Sequence, residues 1–275
     1  MTAPLRGVRD ELGAVVSSER VGDMVELCVR LPHIAATARP GQFAQLRCGG
    51  TLLRRPFSVA WTESDCACFV FAPVGTGTRA LAVLRPGDEV GALGPLGTGF
   101  TVDEQQGSAV CVAGGLGCAP FPLLLRALRD AGHEVTVVNG AATARLLYPA
   151  ERFQRGDEGI AVEAVTVDGS AGAQGLVTDL LGRHLDVAPA LYACGPNPML
   201  AAVARMLGSE PRLPRVEASL EAPMGCGFGT CLGCALPVHD GGRVAWALCC
   251  REGPVMPVER VAWDELMALP PAHVA

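Results

Sequence analysis

The sequence predicts three consecutive parts: an antiparallel β-barrel or sandwich, an α/β unit built on a parallel sheet, and a short cysteine-rich tail. Three observations carry this. Residues 10–100 read as short apolar runs punctuated by Gly and Pro. From residue 107 apolar runs of strand length alternate with amphipathic helical ones. After Glu221 the periodicity disappears, and cysteine, glycine and proline dominate up to residue 257.

In the first part, VVSSERVGDMVELCVRL (15–31) alternates apolar and polar residues. GQFAQLRC (41–48), FSVAWT (57–62), ACFVFAPV (67–74) and DEVGALGPLG (88–97) follow as further strands. Such close spacing favours a barrel or sandwich. One helix is expected among them, Thr78 to Leu84, stopped by Pro86-Gly87. In the second part, SAVCVAGG (108–115) is a buried strand running into glycines, and APFPLLLRALRDAG (119–132) is an amphipathic helix closed by Gly132. Strands HEVTVVNG (133–140) and GIAVEAVTV (159–167), helix GLVTDLLGRHL (175–185), strand PALYACG (189–195), helix NPMLAAVARMLG (197–208) and strand PRVEASLE (214–221) complete it. Alternation of this kind implies right-handed crossovers and a parallel sheet, with ligands beyond the C-terminal strand ends. The divisions are set at 1–104, 105–218 and 219–275. The last part buries too little apolar surface to order itself unaided, so its cysteines are expected to tie it down.

The chain has 275 residues, 49% hydrophobic and 18% charged, which suits about two domains with a small third. A net charge of −6 without any Lys/Arg run argues against nucleic acid as a partner. No apolar run approaches the roughly 18 residues of a membrane span. The N-terminus MTAPLRGVRDELG carries acids and no apolar signal core, so a cytoplasmic location is expected. In a reducing compartment, clustered cysteines bind metal or do redox work more often than they form disulfides. Of the twelve cysteines, Cys28, Cys48, Cys66, Cys68, Cys111, Cys118 and Cys194 lie scattered among apolar residues, where most are expected to serve as small buried hydrophobes.

Cys226, Cys231 and Cys234 are spaced C-x4-C-x2-C, with Cys249 and Cys250 further on. This is the spacing of plant-type [2Fe–2S] ligation. Gly225, Gly227, Gly229 and Gly233 let backbone N–H groups turn towards sulfur. The rival is a structural zinc site, although zinc sites more often use two C-x2-C pairs. Adjacent residues do not easily both face one cluster, so the spacing leaves Cys249 and Cys250 open as fourth ligand.

Four further stretches are weaker when read singly. Gly114, Gly115 and Gly117 lie between a buried strand and a helix, where phosphate approaches backbone, or where a tight turn is simply needed. Cys194-Gly195-Pro196 ends a strand before a helix opening at Asn197-Pro198, which is equally compatible with a plain turn. Arg54 and Arg55 precede Pro56, Phe57 and Ser58. Arginine clamps phosphate at two points, but an exposed arginine pair beside a core Phe reads as well. Gly75, Gly77 and Thr78 lead into the barrel helix, either as a diphosphate cradle or as its cap.

In combination these motifs are more telling. The order R-P-F-S, G-x-G-T, G-G-x-G and C-G-P resembles the ferredoxin–NADP reductase superfamily, a flavin-binding barrel followed by a pyridine-nucleotide domain. The tail S-L-E-x-x-M-x-C-G-x-G-x-C-x-x-C…C-x-x-G-P-V is similar to that of the electron-transfer subunits of type B dihydroorotate dehydrogenase. The resemblance runs from about residue 10 to 260. It implies that Arg55, Pro56, Phe57, Ser58, Val70, Phe71, Ala72, Gly77 and Thr78 bind FAD. Arg55 would meet the diphosphate with Gly77 and Thr78, Phe57 would lie on the isoalloxazine, and Ser58 would approach its N5. Gly114, Gly115, Gly117, Cys194, Gly195 and Pro196 would bind the nicotinamide nucleotide, with Ser58 and Cys194 nearest the chemistry. Cys226, Cys231, Cys234 and Cys250 would hold the cluster, because the family's fourth cysteine stands in the C-x-x-G-P-V frame that begins at Cys250. Three departures stand out: Ala72 where a polar group is expected, Cys249 beside Cys250, and Pro223 before the cluster loop.

The resemblance implies an oxidoreductase of pyrimidine biosynthesis. A partner subunit with FMN would oxidise dihydroorotate, and electrons would pass through [2Fe–2S] and FAD to NAD+, in a heterotetramer. Flavin links two-electron hydride chemistry to one-electron cluster chemistry, so no acid–base triad is expected. His33, His133, His184, His239 and His273 fall in no motif. NAD is favoured over NADP because NGAATAR (139–145) has no early basic residue, although Arg145 is near. Two alternatives stand beside this: a NAD(P)H–flavin subunit of a hydrogenase, sulfite reductase or transhydrogenase complex, and a zinc-stapled nucleotide-binding module.

Overall fold

A computed structural model describes residues 7–103, 107–185, 190–208 and 215–270. The first sheet comprises β1 (Arg9–Val21), β2 (Met24–Arg30), β3 (Phe43–Leu46), β4 (Arg55–Ser58), β5 (Trp61–Glu63), β6 (Cys66–Phe71) and β7 (Glu89–Leu96), with helices α1 (Pro32–Thr37) and α2 (Thr76–Ala82) between them. Its strand order is β4-β3-β7-β1-β2-β6-β5, and every pairing is antiparallel. Leu27, Val29, Ala44, Leu46, Phe57, Phe69 and Phe71 fill its interior. Alternation along the strands puts these residues on one face and leaves the other for the rest of the chain.

The second sheet uses β8 (Ser108–Gly114), β9 (Glu134–Ala141), β10 (Ile160–Thr166), the two-residue β11 (Ala173–Gln174), β12 (Ala190–Cys194) and β13 (Arg215–Ser219). These are parallel, in the order β11-β10-β9-β8-β12-β13. The chain leaves β8 towards β9 and returns to β12 on the other side, so the switch of strand order falls between β8 and β12. Helices α3 (Phe121–Asp130), α4 (Ala150–Gln154), α5 (Val177–Leu181) and α6 (Asn197–Leu207) make the crossovers. α3 buries Phe121, Leu124, Leu125 and Leu128, the spacing expected of a helix that packs one face on a sheet.

The tail holds more regular structure than its sequence predicts. β14 (Ala235–Asp240) and β15 (Arg243–Leu248) form a hairpin around Gly241-Gly242, both at positive φ, as a two-residue primed turn requires. β16 (Val255–Pro257) pairs antiparallel with β13 and α7 (Trp263–Ala268) follows. The tail thus joins the nucleotide sheet by main-chain hydrogen bonds and also reaches the barrel, where Thr98 N donates to Gly253 O (2.7 Å). Glu217 of β13 accepts from Thr101 N and Oγ1, both at 2.8 Å.

Two local expectations are corrected. The barrel half carries a second helix, α1, whose single buried residue is Ile34. Cys28 and Cys68, expected to act as buried hydrophobes, face each other across β2 and β6 and form a disulfide. The other cysteines outside the tail are free, and all but Cys66 are buried. The first division, at 104/105, and His273 lie outside the described residues. No helix among the described residues is long and apolar enough to cross a membrane.

Candidate functional site

The Gly114–Gly117 loop and the Cys194–Pro196 loop meet where the topology predicts. Gly114 closes β8, and the turn Gly115–Cys118 follows before α3. Ala113 pairs with Cys194, the last residue of β12. A Cβ on Gly117 would run into the Cys194 carbonyl, and one on Gly195 would lie 2.6 Å from Met199 Cε and 3.1 Å from Gly114 Cα. The two loops are therefore in van der Waals contact, and glycine is required by space. Gly115 has φ +55° with nothing near its missing side chain, which leaves its backbone open. Cys194 is buried, and burial pushes its thiol up to about 12, so it remains neutral. Pro196 precedes α6 as its cap residue.

The barrel contributes β4 and β6. Arg54 pairs with Asp10 at 2.7 Å. Arg55 donates only to the carbonyls of Leu53 (2.9 Å) and Arg54 (3.2 Å) and meets no carboxylate among the described residues, which leaves its charge available to an anion. Phe57, expected to lie on the flavin ring, instead turns inwards, because the alternation of β4 places it on the core face. There it is buried and packs edge-on against Phe71, ring centroids 5.2 Å apart. Pro56 and Ser58 face outwards, Ser58 opposite Phe43 of β3. Val70 joins Cys118, Phe121 and Cys194 in one apolar cluster, so β6 belongs to the core beneath the two loops. Ala72 is half-buried just beyond β6. Gly77 packs on Cys48, and Thr78 Oγ1 accepts from Gly75 N (2.9 Å), so Thr78 closes the start of α2 from within. Arg145 is held by Asp23 at 2.9 Å across the domain boundary.

That boundary carries a buried clamp. Glu26 of β2 accepts from Tyr148 Oη at 2.5 Å and from Arg152 Nη1 at 3.0 Å, and Arg152 also pairs with Glu19. Burial and the Glu26 bond push the Tyr148 hydroxyl well up. No sequence pattern pointed to these residues, because each becomes informative only through its partner.

Four of the tail's five thiols fall into two pairs, Cys226 with Cys231 and Cys234 with Cys250. Cys226 Sγ accepts from the N–H groups of Thr230 (3.3 Å) and Cys231 (3.4 Å), and Cys234 Sγ accepts from Cys250 N (3.4 Å). Burial works against ionisation of Cys226, but the N–H groups of Cys231, Phe228 and Thr230 outweigh it and bring its thiol down to about 7. The neighbouring Cys250 thiol lowers Cys234 to about 6 and is itself raised in return. Cys249 points elsewhere, to the carbonyl of Leu220 at 3.6 Å. Gly225 and Gly233 leave room beside Cys231, where a Cβ would lie 3.4 and 3.6 Å from its sulfur. Among the described residues no three ligating side chains converge on one point. Four thiols grouped two and two, with N–H groups turned to sulfur, fit a two-iron centre better than a single tetrahedral ion.

A barrel and a parallel nucleotide sheet whose loops meet at the switch point define a ferredoxin-reductase-like oxidoreductase, here with a cysteine-bearing tail. A solved structure of the NADH-dependent reduced ferredoxin-NADP oxidoreductase superposes with a TM-score of 0.81 at 28% identity, covering 94% of this chain and 92% of that one. The ferredoxin reductase of carbazole 1,9a-dioxygenase shares the fold, with a TM-score of 0.67 at 22% identity over 78% of this chain and 70% of that one. The profile of the iron-sulfur cluster binding domain of dihydroorotate dehydrogenase B matches residues 221–262. The dihydroorotate dehydrogenase B (NAD(+)) electron transfer subunit of Shouchella clausii is 38% identical over 94% of this chain and 99% of its own length. That of Desulforamulus reducens is 38% identical over 85% and 90%. The chain belongs to the family of dihydroorotate dehydrogenase B electron transfer subunits.

Proposed function

We propose that this chain is the electron-transfer subunit that carries electrons from a dihydroorotate-oxidising, FMN-containing partner to NAD+, in the cytoplasm and within a heterotetramer. The observation that carries the reading is the two-and-two grouping of Cys226 with Cys231 and of Cys234 with Cys250, in a tail packed against both the barrel and the nucleotide sheet. The functional units are 1–104, 105–218 and 219–275.

When bound, FAD and a [2Fe–2S] cluster supply the step between one-electron and two-electron transfer. The chain's residues bind and orient. Arg55, which meets no carboxylate among the described residues, takes the FAD diphosphate together with Gly77 and Thr78. Ser58 offers a hydroxyl to the flavin ring, Pro56, Val70 and Ala72 shape its bed, and Phe57 and Phe71 brace that bed from inside the barrel. Gly114, Gly115 and Gly117 take the nucleotide, with Cys194, Gly195 and Pro196 beside the nicotinamide. The Cys194 thiol stays neutral and buried, so it packs there and moves no proton. Arg145 is engaged by Asp23, which supports NAD over NADP. Cys231 and Leu232 are exposed, so the cysteine segment faces outwards, towards a donor subunit.

The test is reconstitution with a dihydroorotate dehydrogenase B catalytic subunit. Dihydroorotate-dependent reduction of NAD+ is expected. A second reading, a subunit of a NADH–ferredoxin–NADP-type complex, is favoured by the superposition over nearly the full length. It predicts failure of that assay and electron exchange with ferredoxin.

A further inference from the structure

Gln45 is a polar side chain without a polar partner among the described residues. It lies on β3, is fully buried, and neither Oε1 nor Nε2 makes a hydrogen bond. A buried amide left unpaired is costly, and native proteins rarely tolerate one without a purpose. Its cross-strand partners are Pro56 of β4 and Leu93 of β7, so it stands on the outward face of the barrel sheet. That face is covered by the tail. Leu93 packs into the cluster that contains Cys234, Leu236 and Cys250. The residue directly over Gln45 is Gly227, next to Cys226: a Cβ there would lie 2.6 Å from both Cγ and Nε2 of Gln45. Gly227 has φ +81°. The cysteine loop is thus pressed onto the amide by a residue that needs glycine for both space and conformation.

Two donors and one acceptor therefore sit unused between β4, the strand read as flavin-binding, and the loop read as cluster-binding. We propose that Gln45 is a positioning residue whose amide N–H donates to sulfur on the Cys226 side of the cluster, raising its reduction potential and fixing the loop relative to the flavin strand. An N–H donor stabilises the more negative, reduced state of an iron–sulfur centre, which gives the direction of the effect. The proposal rests on the cluster reading above.

The test uses the full chain purified anaerobically with its cofactors. Gln45→Leu keeps the bulk and removes both donors, and Gln45→Glu keeps the shape while replacing the donor by an acceptor. The readout is the cluster midpoint potential, followed by EPR during redox titration, together with the hyperfine coupling of protons exchangeable in deuterated water. The expected result is a lower potential in both variants. Roughly tenfold in the one-electron equilibrium, 59 mV, is expected for Gln45→Leu, with loss of one exchangeable coupling. Unchanged potential and coupling in variants that load iron normally would overturn the proposal and leave Gln45 a packing residue. A wild-type chain whose reduced form gives no iron–sulfur signal would overturn the cluster reading, and the proposal with it. If Gln45→Leu does not fold, Gln45→Met, which removes the same donors without adding charge, takes its place with the same expected and overturning results.

Discussion

The clamp at Glu26 sets how the barrel meets the nucleotide sheet, so its removal should cost both stability and alignment. Glu26→Leu deletes a carboxylate that is 5% exposed and accepts from Tyr148 at 2.5 Å and Arg152 at 3.0 Å. Losing the charged hydrogen bond and leaving a buried Tyr148 hydroxyl unpaired costs about 1.5–3 kcal/mol. The Arg152 contact adds about 0.5 kcal/mol, because its side chain is 31% exposed and keeps Glu19 as partner. Together they give about 3 kcal/mol, or a fall in melting temperature of roughly 6–12 °C for a chain of this size. Calorimetry of the cofactor-loaded chain measures it. Tyr148→Phe removes only the hydroxyl and should cost less, and the double variant should show coupling of about 1 kcal/mol or more. A Glu26→Leu protein that melts within about 2 °C of wild type, or strict additivity with Tyr148→Phe, would refute the clamp.

Other outcomes follow from the same geometry. Serine at Cys226, Cys231, Cys234 or Cys250 should abolish iron binding, measured as iron per chain, whereas Cys249→Ala should retain it because that thiol faces Leu220. Gly117→Ala drives a methyl into the Cys194 carbonyl and should weaken NADH binding about tenfold, roughly 1.4 kcal/mol, in a direct titration. Arg145→Ala removes a surface pair and should leave both the melting temperature and the preference for NADH over NADPH unchanged in steady-state assays. Removal of iron by acid or chelator should expose residues 222–234 to proteolysis while the barrel stays resistant, since the metal replaces a core this segment lacks.

Where sequence and structure agree, a repeating physical signal lies behind it. Alternation over 15–31 and closely spaced runs punctuated by Gly and Pro named the barrel strands, and the amphipathic period named α3. The cysteine spacing left Cys249 and Cys250 open, and only the resemblance, through its C-x-x-G-P-V frame, named Cys250. In the structure the Cys250 thiol lies against Cys234, whereas Cys249 meets the Leu220 carbonyl. The misses are residues whose meaning is tertiary. α1 is short and buries only Ile34, so it shows no period. The hairpin of β14 and β15 carried a Gly-Gly turn between alternating runs, but cysteine, glycine and proline around it hid the signal. The pairing of Cys28 with Cys68 depends on the register of β2 and β6. All four residues of β3 are buried, because the tail covers its outer face, so the role of Gln45 was not visible in FAQL.

The central claim is that flavin and a two-iron cluster are held in one chain and joined to NADH. The most direct test is the visible spectrum of the anaerobically purified chain, taken with iron, sulfide, zinc and flavin assays. The account predicts FAD, iron and acid-labile sulfide in the protein, with flavin bands and broad cluster absorbance that NADH bleaches. A colourless protein containing zinc and no flavin would contradict it and make the cysteine segment a structural staple.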